Sequence, residues 1–125
     1  MRIIITTIPH KDQRYPTVGD YQYGSDGSLN ITVSKMGDRR HEMLVAIHEL
    51  CEAFLCEQNV VPVHEIDSFD IAFETGRKDG DLSEPGDSPD APYRAEHSIA
   101  TGIERILAGA GGIDWQTYEE AVNGL

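Results

Sequence analysis

Along the first third of the chain, apolar and polar positions follow a period of two. Arg2 to Ile8 carries three consecutive isoleucines beside threonines, a β-branched run that predicts a buried strand ended by Pro9. His10 to Gly19, with Pro16 and mixed charge, reads as a loop. Asp20–Tyr23 and Leu29–Met36 both alternate, and the turn formers Gly24 to Ser28 separate them, so a β-hairpin is expected. In that hairpin Leu29, Ile31 and Val33 face the core, while Asn30, Thr32 and Ser34 face outward.

Beyond Gly37 the period lengthens to that of a helix. Asp38 is placed to cap a helix that runs to about Gln58. Its apolar arc of Met43, Leu44, Ile47, Leu50, Cys51, Phe54 and Leu55 predicts the core-facing side, with His48 at the border and Glu52 and Glu49 further round. A second helix is expected over Glu65 to Thr75, with Ile66, Phe69 and Phe73 on one side and Gly76 as its stop. Arg77 to Ala91 has no apolar period and is long for an internal connection, which reads as either a functional loop over a site or a mobile one, its acids solvated for the most part. A third helix opens near Asp90, the expected cap, and continues to about Ala108, with Ile99, Ile103, Ile106 and Leu107 as its buried stripe. Asp114 then caps a short final helix, with Ile113 stapled to Tyr118. The expected fold class is α+β: a small antiparallel N-terminal sheet of about three strands, packed with three to four helices in one domain spanning residues 1–125.

Composition narrows the function classes. Of 125 residues, 39% are hydrophobic and 26% charged, as in an ordinary globular chain. The 22 acids against 10 Lys plus Arg give a net charge of -12, a field that repels phosphate backbones and anionic lipid. Neither a nucleic acid nor a membrane is therefore an expected partner. No apolar stretch approaches the roughly 20 residues that span a bilayer, and the first residues are too short and β-branched a run for a signal peptide, so a cytoplasmic location is expected. Cys51 and Cys56, five apart on one rigid helix, are expected to remain thiols.

The candidate chemistry lies in His48-Glu49-Leu50-Cys51-Glu52. Side chains four apart on a helix project side by side, so His48 and Glu52 can converge on one ion, with Glu49 next to them. This is the spacing of HExxH metal helices, carrying Glu52 where the second His usually stands. Carboxylates are disfavoured in so apolar a helix unless they have a partner. A third ligand has to come from elsewhere. His97, on the third helix and on the same side as Glu104, is the preferred candidate, with Glu104 available to accept a hydrogen bond behind the ligands. Glu96 is its rival, and His64, Asp67, Asp70 and Cys56 are weaker options. His41 shares the face of His48 but stands seven residues away, about 10 Å along the helix, too far for the same ion.

A strand and hairpin, a helix with His48-Glu49-x-x-Glu52, and a later helix with His97 together resemble a minimal zincin metallopeptidase, in which an antiparallel edge strand precedes the metal helix. The resemblance covers about Leu29 to Leu107 and departs from the family pattern at Glu52. The chain is also similar in style to small proteins of bacteriophages and prophages. The zincin resemblance implies a metal-dependent peptidase or hydrolase holding Zn²⁺ on His48, Glu52 and His97, with Glu49 as the catalytic base and a peptide or protein as substrate. The mixed histidine and carboxylate donors also suit Mn²⁺ or Fe²⁺. It further implies that Leu29–Met36 receives an extended peptide by strand addition. Two other readings stand beside it. One is an inactive phage structural or interaction protein, and the other a magnesium-dependent nucleotide pyrophosphohydrolase built on Glu49, Glu52, Asp67 and Asp70.

Overall fold

A computed structural model describes residues 1–125. The chain is α+β, with a three-stranded sheet and four helices: β1 (Ile3–Ile8), β2 (Gly19–Tyr23), β3 (Leu29–Ser34), α1 (Arg39–Gln58), α2 (Val63–Thr75), α3 (Arg94–Ala110) and α4 (Trp115–Asn123). No helix is long and apolar enough to cross a membrane.

The sheet order is β1-β3-β2. β2 and β3 form the expected antiparallel hairpin, Tyr21 opposite Ile31. β1 instead runs parallel to β3, Ile5 beside Ile31, so the sheet is mixed rather than antiparallel throughout. The reason is topological: the hairpin returns its second strand, not its first, to the edge of β1. Two expectations change with it. β1 is an edge strand with Ile3 and Ile5 exposed, not a buried one. β3 is the central strand, its hydrogen-bonding edges both occupied, so Leu29–Met36 has no edge to offer a peptide. The side chains of Leu29, Ile31 and Val33 turn inward as expected. Ser34, expected outward, is fully buried because the loop after β1 folds over that face. There His10 Nδ1 and Gln13 Nε2 lie 2.9 and 3.2 Å from its Oγ, which itself donates to the Thr17 carbonyl.

Asp38 caps α1 by accepting from the Arg40 amide, and Asp114 caps α4 by accepting from that of Thr117. α1 lies across the sheet, and Leu44, Val45, Ala46 and Ala53 close the main core with β2, β3 and Tyr118 of α4. Cys56, Ile66, Ala91 and Tyr93 make a second, smaller cluster. Both cysteines are free thiols. The faces of two helices differ from expectation. On α1 Leu44 of the expected arc is buried, but the buried side also carries His41, Val45, Ala46, His48, Glu52, Ala53 and Cys56, while Met43 and Phe54 are exposed. On α3 the buried side carries Glu96, His97, Ala100, Glu104 and Ala108, and all four residues of the expected stripe, Ile99, Ile103, Ile106 and Leu107, face outward. α3 also begins later than expected, with Tyr93 rather than Asp90 at its N-cap position. Both helices bury the side that bears their histidines and carboxylates, because that side closes a shared interior space.

Candidate metal centre

That space is a cavity of about 460 Å³ between β2, α1, α3 and the segment after α2, lined by His48, Glu49, Glu52, His97 and Glu104 among others. α1 and α3 run antiparallel and in close contact, with fully buried Ala100 and nearly buried Ala53 and Ala108 on them. Small side chains at such a contact let helix axes approach closely, so polar groups on the two helices can meet.

Glu52 Oε2 is the point where they meet. It lies 3.2 Å from His48 Nε2 and 3.0 Å from His97 Nδ1, all three side chains being buried. A tetrahedral zinc with bonds of 2.0 to 2.1 Å separates its ligand atoms by about 3.3 Å, so the two distances from Glu52 fall within tenths of an ångström of that spacing, and all three atoms lie within 4.8 Å of one another. Glu104 Oε2 stands 3.3 Å from His48 Nδ1 and accepts from the Tyr118 hydroxyl at 3.3 Å. A carboxylate beside the second ring nitrogen is the arrangement commonly found behind metal-ligating imidazoles. Glu96, the rival third ligand, turns away and accepts from Asn59 Nδ2 at 3.1 Å. His64 is exposed, His41 packs at a tilt against the Tyr118 ring, Asp67 is paired with Arg14, and Cys56 belongs to the second apolar cluster. Asp70 accepts from the hydroxyls of Tyr15 and Tyr93 at 3.1 and 2.6 Å. Glu49, Glu52, Asp67 and Asp70 therefore line one cavity without forming one ligand set.

The acidic segment after α2 closes the far side. Glu84 Oε2 and Asp87 Oδ1 approach His97 Nε2 to 2.9 and 3.3 Å. Together with His97 they form a second group of potential ligands. Between them Gly86 is buried with its backbone flat against the His97 ring, so close that a Cβ there would collide with ring atoms. From sequence this stretch reads as a loop either over a site or mobile, with its acids solvated, because Gly, Pro, Ser and Asp are ordinary loop residues; the structure places it over the cavity and its Glu84 and Asp87 against His97. The available signal was the Glu84-Pro85-Gly86-Asp87 turn, where two acids bracket a glycine.

The electrostatics of the cluster follow from burial and from the pairing of its imidazoles and carboxylates. Burial by itself would depress His48, but the Glu104 and Glu52 carboxylates outweigh it and hold the imidazole well above its ordinary pKa. His97, opposed in the same way by burial, is raised to about 10 by Glu52 and Glu84. Burial raises Glu49 well above the usual carboxylate range, and the neighbouring Glu52 adds to the effect. In Glu52 the two imidazoles overcome burial and lower the value. His48 Nδ1 and His97 Nε2 remain buried without a well-aligned hydrogen-bond partner despite their close carboxylates. Five acids, Glu49, Glu52, Glu84, Asp87 and Glu104, thus surround two imidazoles, a donor set whose charge suits a divalent cation.

Compared with known protein families, with curated proteins and with solved structures, the chain matches none. The functional reading accordingly rests on the site.

Proposed function

We propose that the protein is a metal-dependent hydrolase of the zincin type, acting on peptide bonds, with His48, Glu52 and His97 as ligands and Glu49 as the general base. The observation that carries this reading is the convergence of His48 Nε2, Glu52 Oε2 and His97 Nδ1 from two helices inside a cavity. Bound by these donors, Zn²⁺, or Mn²⁺ or Fe²⁺, would supply an activated water and polarise a carbonyl.

The chain's own groups supply the rest. Glu49 lines the cavity beside Gly19 at the start of β2, where even a Cβ would stand 2.6 Å from its Oε1. Burial favours its protonated form once a proton arrives, which suits a group that takes a proton from water and hands it to a leaving amine. Glu104 and Tyr118 fix the His48 ring, and Glu84, Gly86 and Asp87 fix that of His97. β2 is an antiparallel edge strand: it pairs only with β3, and Gly19, Asp20 and Tyr21 line the cavity. Its unpaired edge can hold an extended substrate backbone next to Glu49, the role expected for β3 from sequence.

Elemental analysis of protein purified without chelator is expected to find about one ion per chain, lost in His48→Ala. Incubation of a mixed peptide library, read by mass spectrometry, is expected to give cleavage that Glu49→Gln reduces about 10²-fold or more with the ion retained. Absence of any ion, both as purified and after zinc addition, overturns the metal assignment. An ion-loaded protein whose turnover is the same in Glu49→Gln overturns the catalytic one.

A further inference from the structure

The face opposite the cavity carries many of the chain's exposed large apolar side chains. α1 and α3 turn their acids inward together: between Met43 and Phe54 these are Glu49 and Glu52, and between Ile99 and Leu107 there is only Glu104. Their opposite sides are therefore turned away from the cavity together. On α1 that side carries Met43 and Phe54, with half-buried Ile47 and Leu50 between them. On α3 it carries Ile99, Ile103, Ile106 and Leu107. β1 extends the surface, because Ile5 and Thr7 border a shallow groove with Met43, lined at its rim by Arg39 and Glu42, and Ile3 follows on the same side of the strand.

Eight of these side chains, two from each of β1 and α1 and four from α3, are between 36% and 70% exposed. At roughly 200 Å² for a fully exposed large side chain, they present about 800 Å², above the largest apolar patch of a typical monomer and equal to one partner's share of a standard interface. Charge selects the occupant. Two chains of net charge -12 repel over most of their surfaces, yet the outward positions of these two helix stretches hold no carboxylate. The outer edge of β1 is also unpaired, and Ile3–Ile8 contains no proline or charged residue, the usual devices that keep an edge strand single.

We propose that this face is the two-fold interface of a homodimer, β1, α1 and α3 of one copy against the same elements of the other. An isologous contact of this kind buries the patch on both copies and leaves the two cavities open on opposite sides.

Sedimentation of the full chain from about 1 to 100 μM, the range in which micromolar association is visible, tests it. The wild type is expected to sediment as a dimer, and Phe54→Glu and Ile106→Glu as monomers. Both positions are more than half exposed in the single chain, so circular dichroism should be unchanged in the variants. Ile71→Glu, at an exposed apolar residue on α2 away from this face, is expected to remain dimeric. A wild type that is monomeric throughout, a dimer that survives both substitutions, or an assembly that grows beyond two copies overturns the proposal.

Discussion

Gly86 does what no other residue could do at its position. The turn Pro85–Asp87 lies on the His97 ring, and a single methyl there would have to displace either the ring or the turn. Gly86→Ala is therefore expected to weaken zinc binding about 10- to 100-fold in a competition titration, the usual cost of disturbing a ligand's outer support. Gly80→Ala in the same acidic segment is the contrast: its φ of 82° carries strain of about 1 kcal/mol, but open space surrounds it, so zinc affinity should not change. Asp70 gives a pH signature. Burial raises it to about 6, against the hydrogen bonds from Tyr93 and Tyr15 that lower it. A folded value above the unfolded 3.8 means the native state binds more protons between those limits, so stability is fully present below pH 4 and falls as pH rises to 6. The fall attributable to Asp70 is about 3 kcal/mol, and Asp70→Asn should flatten the urea-derived stability profile over that window. The site residues themselves differ in legibility. His48, Glu52 and Glu49 follow from helical spacing, and His97 from the scarcity of other ligands. Glu84, Gly86 and Asp87 do not, because what gives them meaning is a ring 10 or more residues away.

α1 and α4 start where their sequence signals place them, whereas α3 starts past Asp90, and the buried sides of α1 and α3 depart from the sequence pattern. Asp38 and Asp114 cap as expected, since a cap is a contact between neighbours in sequence. The rotation of α1 and α3 is decided by what lies across from them, and here the polar side wins. Burying His48, Glu52, His97 and Glu104 is sustained by their mutual pairing, and the displaced apolar residues gather on the outer face. The parallel run of β1 is hidden for a similar reason: period two gives a strand but not its neighbour. Ala100, with no exposed surface on α3, tests whether the helix separation is what brings the ligands together. Ala100→Leu is expected to destabilise the fold by about 1 to 3 kcal/mol through overpacking and to lower zinc affinity as His97 moves from His48. A variant that loses stability while its zinc affinity stays unchanged would separate the packing of α3 from the site.

At the scale of the whole molecule, composition reports a charge of -12 but not where it lies. The fold concentrates acids on the cavity and leaves the outer side of α1 and α3 apolar, so one end of the molecule attracts cations while the other resists water. Around the two imidazoles the cavity lining brings together Glu49, Glu52, Glu84, Asp87 and Glu104, more acids than two protonated rings can offset, in a space where like charges are poorly screened. A divalent ion bound only by the folded chain converts that repulsion into stability through linkage. At zinc a hundredfold above its dissociation constant the gain is about 2.7 kcal/mol. For a chain of this length that corresponds to a rise of about 10 °C in melting temperature. Thermal melts with excess chelator and with added zinc should differ by that amount in the wild type. The same melts should nearly coincide in His48→Ala, where the ion has lost a ligand but the acids remain. A zinc-dependent rise that persists in His48→Ala would place the ion elsewhere among the acids, and Glu84, Asp87 and His97 form the other group with suitable spacing.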